Sequence, residues 1–278
     1  MQYKVEILLA TYNGAAYLNE QLQSLFSQTY TNWVLLASDD GSTDETIQIL
    51  QQYQKSYPDK IKLLQPAEKK LGSTFNFSRL LQSSTADYLM LCDQDDFWVT
   101  SKIELQMQQM LKMETQHGKD FPLLVCSDLA IVDEQLQTLQ PSFFRYRKQA
   151  ISILNDSYKL IAHSTITGCT MLLNKAAVKI AVPIKIKNFQ QDHWISMHVA
   201  HYGKISCIDL PLVLYRQHSN NVVGASKINF NYLLSRLGYF PNLIKDWFLL
   251  KRTAAIPVPV AKVFFFKIWY NTYRLFKQ

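Results

Sequence analysis

The sequence is poor in glycine, and none of its glycines forms a dinucleotide-binding loop. Its 278 residues include eight glycines, and no two of them are spaced even as G-x-G. A nicotinamide-dependent dehydrogenase needs G-x-G-x-x-G at its first strand-to-helix turn, so that class is excluded. The amino-terminal D-x-D-x-T of a phosphatase with an aspartyl nucleophile is also absent, as is the glycine-rich basic loop of a sugar-nucleotide pyrophosphorylase.

Cysteines and long apolar runs are scarce too. No apolar run approaches the roughly 20 residues of a transmembrane helix, and residues 263–270 are interrupted by Lys267. Residues 1–10 lack the basic and apolar regions of a signal peptide, so we expect a first strand there. The cysteines form no C-x-x-C pair, and we expect them to be reduced core residues, as in a cytoplasmic protein. They are Cys92, Cys126, Cys169 and Cys207.

Acidic residues are nearly absent from the last fifth of the chain. From Lys227 onward there are nine cations and one anion, Asp246, so this segment has a net charge of +8. Because the net charge of the whole chain is +7, residues 1–226 together carry −1. Such localised basicity argues against a general nucleic-acid-binding surface and for one anionic partner. The cations are Lys227, Arg236, Lys245, Lys251, Arg252, Lys262, Lys267, Arg274 and Lys277.

Strand and helix patterns alternate through the first hundred residues. Predicted strands cover 3–9, 33–38, 61–64 and 88–92, and predicted helices cover 15–27, 45–57 and 74–83. This order predicts an α/β fold with a doubly wound, mostly parallel sheet, whose polar loops lie at the ligand-binding carboxyl ends of the strands. Beyond residue 100 we expect strands at 125–132, 170–173, 205–208 and 212–215, and a helix at 192–201.

Polar loops follow the first two predicted strands. A carboxylate at a strand end can accept the imide N–H of a uracil or thymine base, and the loop backbone can contact the ribose. The alternative is a pair of ordinary turns, because Asn-Gly and Asp-Gly are common turn dipeptides. The candidate residues are Thr11, Tyr12 and Asn13 in the first loop and Asp39 and Asp40 in the second.

An acidic turn, Asp93-Gln94-Asp95-Asp96, follows the strand predicted at 88–92. Carboxylates at positions i and i+2 after a strand can bind one hard cation, which would neutralise a diphosphate. Several carboxylates at the end of a buried strand repel one another, and a bound cation explains that arrangement better than a solvated loop does.

Two later segments complete the set of candidate residues. Asp192 could accept the proton of an attacking hydroxyl, or it could cap the helix predicted there. His218 could bind the metal or, with Arg216, contact phosphate oxygens; the alternative is a basic surface cluster.

In this order, these segments resemble the signature of glycosyltransferase family 2, and the resemblance covers about residues 3–224. It is strongest to a bacterial branch of rhamnosyltransferases that act in surface polysaccharide assembly. One position departs from the pattern: Leu71, preceded by Lys69 and Lys70, stands where many relatives carry Asn. The matching segments are Thr11-Tyr12-Asn13, residues 39–44, Gly72 with Asn76, residues 93–98, Thr167-Gly168-Cys169, Asp192-His193-Trp194 and residues 215–218.

The resemblance implies a GT-A fold and an inverting transfer from a dTDP- or UDP-sugar to a saccharide acceptor that is often lipid-linked. Asp40 or Asp39 would recognise the base, with Gln94 in the nucleotide site and Lys70 a candidate phosphate contact. Asp95 and Asp93 would place Mg²⁺ or Mn²⁺ on the diphosphate, and Asp192 would be the catalytic base. The candidate acceptor contacts are Trp98, Trp194 and Gly168.

The predicted organisation is a catalytic domain, residues 1–226, with its nucleotide-binding half in 1–100 and its acceptor-binding half in 101–226. Residues 227–278 form a basic helical extension. On a helical wheel its aromatic residues share one face and its cations the other, as in a helix lying on an anionic membrane. The expected location is therefore the inner face of the cell membrane; the alternative is packing on the catalytic domain or in a homodimer. A non-catalytic saccharide-binding or scaffold protein is the rival function.

Overall fold

The computed structural model describes residues 3–186, 189–218 and 240–276, with side chains described from residue 242 to residue 274 in the last range. The predicted domain boundary after residue 226 lies outside these ranges. So do the predictions for Lys227, Arg236 and Lys277.

The strands and helices alternate as far as β4 and then become shorter and less regular. The strands are β1 Val5–Thr11, β2 Trp33–Asp39, β3 Ile61–Leu63, β4 Tyr88–Cys92, β5 Phe97–Trp98, β6 Leu123–Val132, β7 Thr138–Gln140, β8 Leu172–Asn174 and β9 Lys204–Arg216. The helices are α1 Ala15–Phe26, α2 Thr46–Ser56, α3 Ser73–Ser83, α4 Lys102–His117, α5 Phe143–Tyr146, α6 Ser157–Ala162, α7 Lys175–Ala181, α8 Gln191–Tyr202, α9 Phe240–Thr253 and α10 Val260–Phe276. Single 3₁₀ turns cover Ile151–Ile153 and Gly168–Thr170.

One twisted sheet organises the molecule, in the order β3-β2-β1-β4-β8-β6-β9-β5, with β7 added on β6. Strands β3, β2, β1 and β4 are parallel. Since β8 is antiparallel to both β4 and β6, and β9 is parallel to β6, six strands share one direction. The mostly parallel α/β fold predicted from the sequence is confirmed.

The register of the central strands brings the polar loops to one edge of the sheet. Thr11 at the end of β1 lies beside Asp39 at the end of β2. Leu9 lies beside Cys92, so the acidic turn after β4 begins next to the first loop. The strands β1 and β4 are almost wholly buried between two apolar clusters, one on each face of the sheet. The core therefore fixes the position of the loops.

Three predicted strands in the second half were wrong in detail. The strands predicted at 205–208 and 212–215 are one strand, β9, whose pairing with β6 shifts between Ile208 and Pro211. Pro211 has no N–H to donate, and Leu210 is 51% exposed where the strand bulges outward. The strand predicted from residue 170 begins only at Leu172, because Gly168–Thr170 forms the 3₁₀ turn beneath Asp192.

The last helix, α10, packs on the catalytic half through two buried apolar or aromatic residues and two of its cations. Val263 and Tyr270 of α10 are buried, and Arg274 is only 4% exposed while donating to the Arg147 carbonyl. Lys267 donates to the Ala162 carbonyl at 2.8 Å. These cations therefore bind the protein, and the aromatic side of α10 faces outward. In the part of the chain that the structure describes, no helix is both long and apolar enough to cross a bilayer.

Candidate active site

The loops after β1 and β2 are joined by Asp39. Its Oδ1 accepts from the hydroxyls of Thr11 and Ser42, at 2.8 and 2.5 Å, and its Oδ2 accepts from the backbone N–H groups of Gly41 and Ser42. Asn13 completes the junction, because its backbone N–H donates to Ser42 and its side-chain oxygen accepts from Thr43. With four protein donors on its carboxylate, Asp39 organises the two loops.

Asp40 organises a third loop. Its two carboxylate oxygens accept from the backbone N–H groups of Leu71 and Gly72, at 2.6 and 2.7 Å. This pairing holds the Lys69–Gly72 segment against the end of β2 and brings Lys70 Nζ within 3.3 Å of the Tyr12 ring centre. Since the Tyr12 side chain is 41% exposed, the ring and the ammonium group lie at the rim of the site.

Gln94 clamps the first loop to the acidic turn. Its Oε1 accepts from the Tyr12 N–H at 2.8 Å, and its Nε2 donates to the Tyr12 carbonyl at 3.0 Å. The amide lies so close to Gly14 that a Cβ there would stand 2.2 Å from Oε1. Gln94 therefore acts first on the protein backbone, and its predicted contact with a nucleotide stays a prediction.

The acidic turn is crowded and partly desolvated. Burial, and then the neighbouring carboxylates of Asp95 and Asp192, raise the pKa of Asp93. Burial also raises the pKa of Asp96, which is fully buried beneath the turn. Asp93, Asp96 and Cys169 place potential ligand atoms within 4.8 Å of one another. His218 Nε2 lies 2.9 Å from Asp95 Oδ2, which brings together two of the predicted metal ligands.

These residues fit a hard divalent cation. Carboxylate oxygens are the preferred ligands of Mg²⁺ and Mn²⁺, and an imidazole nitrogen is acceptable to Mn²⁺. A cation would relieve the repulsion that raises the pKa of Asp93. The Cys169 thiol is a poor ligand for either ion, since burial raises its pKa and keeps it protonated. By ligand chemistry Asp93, Asp95 and His218 suit such an ion better than a set that includes Cys169, but the contact that the structure shows among them is the one between Asp95 and His218.

Arg216 does not contact the solvent of the cleft, which corrects its predicted role on a diphosphate. Its side chain is 1% exposed and forms an ion pair with Glu20 of α1. Its Nε donates to the Asp95 carbonyl at 3.0 Å, and Nη1 donates to the Glu134 carbonyl. The guanidinium also lies 4.7 Å from the Tyr17 ring centre. Arg216 therefore fixes the backbone of the acidic turn from below.

Asp192 lies in the first turn of α8, near enough to the acidic turn for its charge to raise the pKa of Asp93. It is not the N-cap, which is Gln190. Its Oδ1 accepts from the His193 N–H at 2.6 Å, and its Oδ2 accepts from the Gly168 N–H at 3.3 Å. Burial raises the pKa of Asp192 to about 6. A carboxylate with that pKa is a stronger proton acceptor than an ordinary aspartate and is still ionised at neutral pH.

The structure corrects the assignment of two tryptophans to an acceptor. Trp98 is fully buried, with Lys102 Nζ 4.0 Å from its ring centre. Trp194 is 2% exposed, and its indole N–H donates to the Ala181 carbonyl at 2.7 Å. Neither indole has a face open to a ligand. What the structure shows of Gly168 is its contact with Asp192; its acceptor role stays a prediction.

Two supporting residues were missed by the sequence reasoning. Tyr17 packs against His218, with ring centres 4.7 Å apart, and Glu20 neutralises Arg216. Both lie on α1, three residues apart, so they share the helix face that looks toward the acidic turn. That spacing was the available signal, but their partners lie about 200 residues further along the chain.

Sequence comparison finds one family and a relative that spans most of the chain. The family model described as Glycosyl transferase family 2 matches residues 6–178. The "dTDP-rhamnosyl transferase RfbG" of Shigella flexneri is 31% identical over 248 residues, which cover 84% of this chain and 79% of the relative. A glucosyltransferase of Escherichia coli, WfgD, is 33% identical over 110 residues, or 40% of this chain and 42% of its own.

Solved structures of similar fold include transferases with bound donors. TarS of S. aureus in complex with UDP-GlcNAc superposes with a TM-score of 0.60 at 19% identity, covering 96% of this chain and 71% of that one. The chain spans 43% of a longer TarS structure. The mannosyltransferase PcManGT of Pyrobaculum calidifontis, in complex with GDP-Man and Mn²⁺, gives 0.61 at 16% identity, covering 99% and 72%. At these identities the likeness establishes the fold alone.

We predict that Gly14→Ala destabilises the first loop only while Gln94 is present. The new methyl group would displace the amide and break both of its hydrogen bonds to Tyr12, so the free energy of unfolding should fall by about 1–2 kcal/mol. Hydrogen exchange at the Tyr12 amide should also accelerate. Urea unfolding and exchange rates measure these two effects.

The control is the same substitution in a Gln94→Ala background, where the methyl group has room and should cost little. Equal costs in the two backgrounds would contradict the clamp.

Proposed function

Because the chain belongs to glycosyl transferase family 2, we propose that it is an inverting glycosyltransferase that moves a sugar from a nucleoside-diphosphate donor to a saccharide acceptor. One observation carries this proposal: the fold brings Asp192 close enough to the acidic turn for its carboxylate to raise the pKa of Asp93. A leaving diphosphate and an attacking hydroxyl need such groups on opposite sides of the reacting carbon.

The chemistry divides between the two sides of the cleft. Asp192 receives the acceptor proton as the hydroxyl attacks the anomeric carbon, on the face opposite the nucleoside diphosphate. Positive charge develops on the sugar ring, as in glycoside hydrolysis, and negative charge develops on the departing oxygen. The Gly168 and His193 N–H groups hold the Asp192 carboxylate in place.

The departing diphosphate lies at the acidic turn in this proposal. Asp93, Asp95 and His218 would hold Mg²⁺ or Mn²⁺ there, and the ion supplies charge neutralisation to the leaving group. Lys70, whose ammonium group lies over the Tyr12 ring at the rim, is the candidate cation for the phosphates. Arg216 acts indirectly, by fixing the Asp95 backbone through its carbonyl.

For the donor we propose a dTDP- or UDP-sugar, with rhamnose as the first candidate. The support is the RfbG relative, whose name specifies dTDP-rhamnosyl transfer. Asp40 is the proposed base contact, because two backbone donors leave lone pairs on its carboxylate, whereas Asp39 already accepts four hydrogen bonds.

For the acceptor we propose a lipid-linked saccharide, and for the location the inner face of the cell membrane. The support is the outward side of the carboxyl-terminal helices. On α10, Phe265, Ile268 and Trp269 are 62, 48 and 45% exposed, and on α9 Phe248 and Leu249 are 51 and 42% exposed. The exposed cations of α9 suit an anionic leaflet: Lys245, Lys251 and Arg252.

The donor is tested by melting the protein with UDP-, dTDP- and GDP-sugars, with and without Mn²⁺. We expect the largest stabilisation from a dTDP- or UDP-sugar, and only with the ion, because the diphosphate and the carboxylates repel each other without it. An Asp95→Asn variant should lose the Mn²⁺-dependent part of the increase in melting temperature. No shift and no donor hydrolysis with any donor would favour a saccharide-binding or scaffold protein.

The base is tested by Asp192→Asn. We predict a roughly 10²- to 10⁴-fold loss of kcat, as expected when a general base is removed, with the donor-induced melting shift unchanged. Asp120→Asn, a change at an exposed aspartate, is the matched control.

The pH profile provides a second readout for the base. Because burial raises the pKa of Asp192 to about 6, kcat should fall as the pH drops through that value, where the carboxylate takes up a proton. Near-normal turnover of Asp192→Asn, or a flat profile between pH 5 and 7, would reject this base.

Membrane contact is tested with the double substitution Phe265→Ser and Trp269→Ser. Each exposed aromatic side chain gains about 1.5–3 kcal/mol when fully buried, so partial insertion of two should be worth one to two powers of ten in partitioning to anionic vesicles. Leu210→Ser, at an exposed apolar position of β9, is the control. Unchanged co-sedimentation with vesicles would contradict the membrane contact. If the double variant instead loses a dimer in solution, the exposed aromatic side binds a second copy of the chain.

A further inference from the structure

The first turn of α8, which carries Asp192, is held from the side by α6. His193 Nε2 lies 2.7 Å from the Leu160 carbonyl. A carbonyl only accepts, so Nε2 carries the proton and donates. Burial lowers the pKa of His193 to about 4, with a smaller contribution from the nearby Lys267 charge. The ring is therefore neutral at working pH, with its proton on the nitrogen that faces α6.

The same residue contacts the carboxylate. The backbone N–H of His193 donates to Asp192 Oδ1 at 2.6 Å. This hydrogen bond is shorter than the one that Asp192 Oδ2 accepts from the Gly168 N–H at 3.3 Å. His193 thus binds α6 with its side chain and the carboxylate with its backbone. A shift of α6 relative to α8 would therefore move His193 and, through its backbone N–H, change the position of Asp192 Oδ1.

The carboxyl-terminal end of α6 is held on its other side by α10. The last carbonyls of a helix have no partner within the helix. In α6 the Leu160 carbonyl accepts from the His163 N–H at 3.1 Å and from the His193 ring, and the Ala162 carbonyl accepts from Lys267 of α10 at 2.8 Å. The next residue, His163, packs on Tyr270 of α10 with ring centres 4.2 Å apart. A helix of six residues is thereby fixed from two directions.

We propose that His193 is a positioning residue for Asp192, and that α6, held between His193 and α10, is the support on which it rests. The inference depends on the proposed function only in taking Asp192 as the base. A displacement of about 1 Å in a reacting group can cost on the order of 10²-fold in rate, so a support of this kind affects kcat without touching the donor.

The experiment compares two substitutions of His193. His193→Phe keeps a ring against Phe189, whose ring centre is 4.8 Å away, but has no donor for the Leu160 carbonyl. His193→Gln offers an amide N–H to the same carbonyl. In nucleoside-diphosphate release from dTDP-rhamnose with Mn²⁺, or from the donor that stabilises the protein most, we expect His193→Phe to lower kcat about tenfold and leave the donor KM unchanged. His193→Gln should recover most of the loss.

The pH profile separates positioning from general destabilisation. If the support loosens and water reaches the carboxylate, the acid limb of kcat should move from about pH 6 toward the ordinary aspartate range. The matched control is His198→Phe, also on α8, whose Nδ1 donates to the Trp194 carbonyl within the same helix at 2.7 Å. That change should lower the melting temperature without moving the acid limb.

The role of α10 is tested by Lys267→Met, which keeps the aliphatic stem and removes the donor to Ala162. We expect a smaller fall in kcat, and a double variant with His193→Phe should lose less than the product of the two single losses, because both act through α6. Independent, multiplicative losses would overturn the role of α10.

Asp192→Asn separates a failure of this inference from a failure of the proposed function. If Asp192→Asn abolishes turnover while His193→Phe stays within twofold of the wild type, the positioning role is wrong and the base stands. If Asp192→Asn retains turnover, the base assignment itself is wrong. A loss in His193→Phe that His193→Gln does not recover, with the donor KM raised in parallel, would also overturn the proposal.

Discussion

Mutual repulsion among carboxylates at the end of β4 is the constraint on which the rest of the site depends. Asp93, Asp95 and Asp96 follow a strand with no exposed residue, and Asp192 faces them. Carboxylates removed from water and placed together resist ionisation, which is why burial and neighbouring charge raise the pKa of Asp93. The surrounding structure is arranged to hold these groups together in spite of that cost.

The supports for the acidic turn come from distant parts of the chain. Arg216, at the end of β9, donates to the Asp95 carbonyl and places a positive charge below the turn, where Glu20 balances it. Gln94 ties the turn to the first loop. These two supports bind backbone groups, so neither of them neutralises the carboxylates of the turn. The one side-chain contact described at Asp95 is with His218, whose Nε2 lies 2.9 Å from Asp95 Oδ2.

The sequence predicts those parts of the site that depend on contacts between residues close together in the chain. The parallel half of the sheet, its loops and the acidic turn were predicted correctly, because strand and helix periodicity and turn chemistry are short-range signals. Trp98 and Arg216 were misassigned because residue type indicates chemistry and not direction. Trp98 lies in a two-residue strand that pairs with β9, and Arg216 forms an ion pair with Glu20, which lies 196 positions away.

For the carboxyl-terminal extension, too, the sequence predicts the helix but not the direction in which its side chains point. A helical wheel separates Phe265, Ile268 and Trp269 of α10 from Lys267 and Arg274, but it cannot say which side meets the protein, where Tyr270 lies with the two cations. The side with Lys267 and Arg274 meets the protein. These two side chains donate to the carbonyls of Ala162 and Arg147, at the ends of α6 and α5, and Val263 and Tyr270 are buried on the same side. The aromatic side is left in contact with solvent, where apolar area is costly. Helix α10 is thus fixed on α6 by one side and exposed on the other. Under our proposals, a surface that binds the exposed side would be connected through α6 to Asp192.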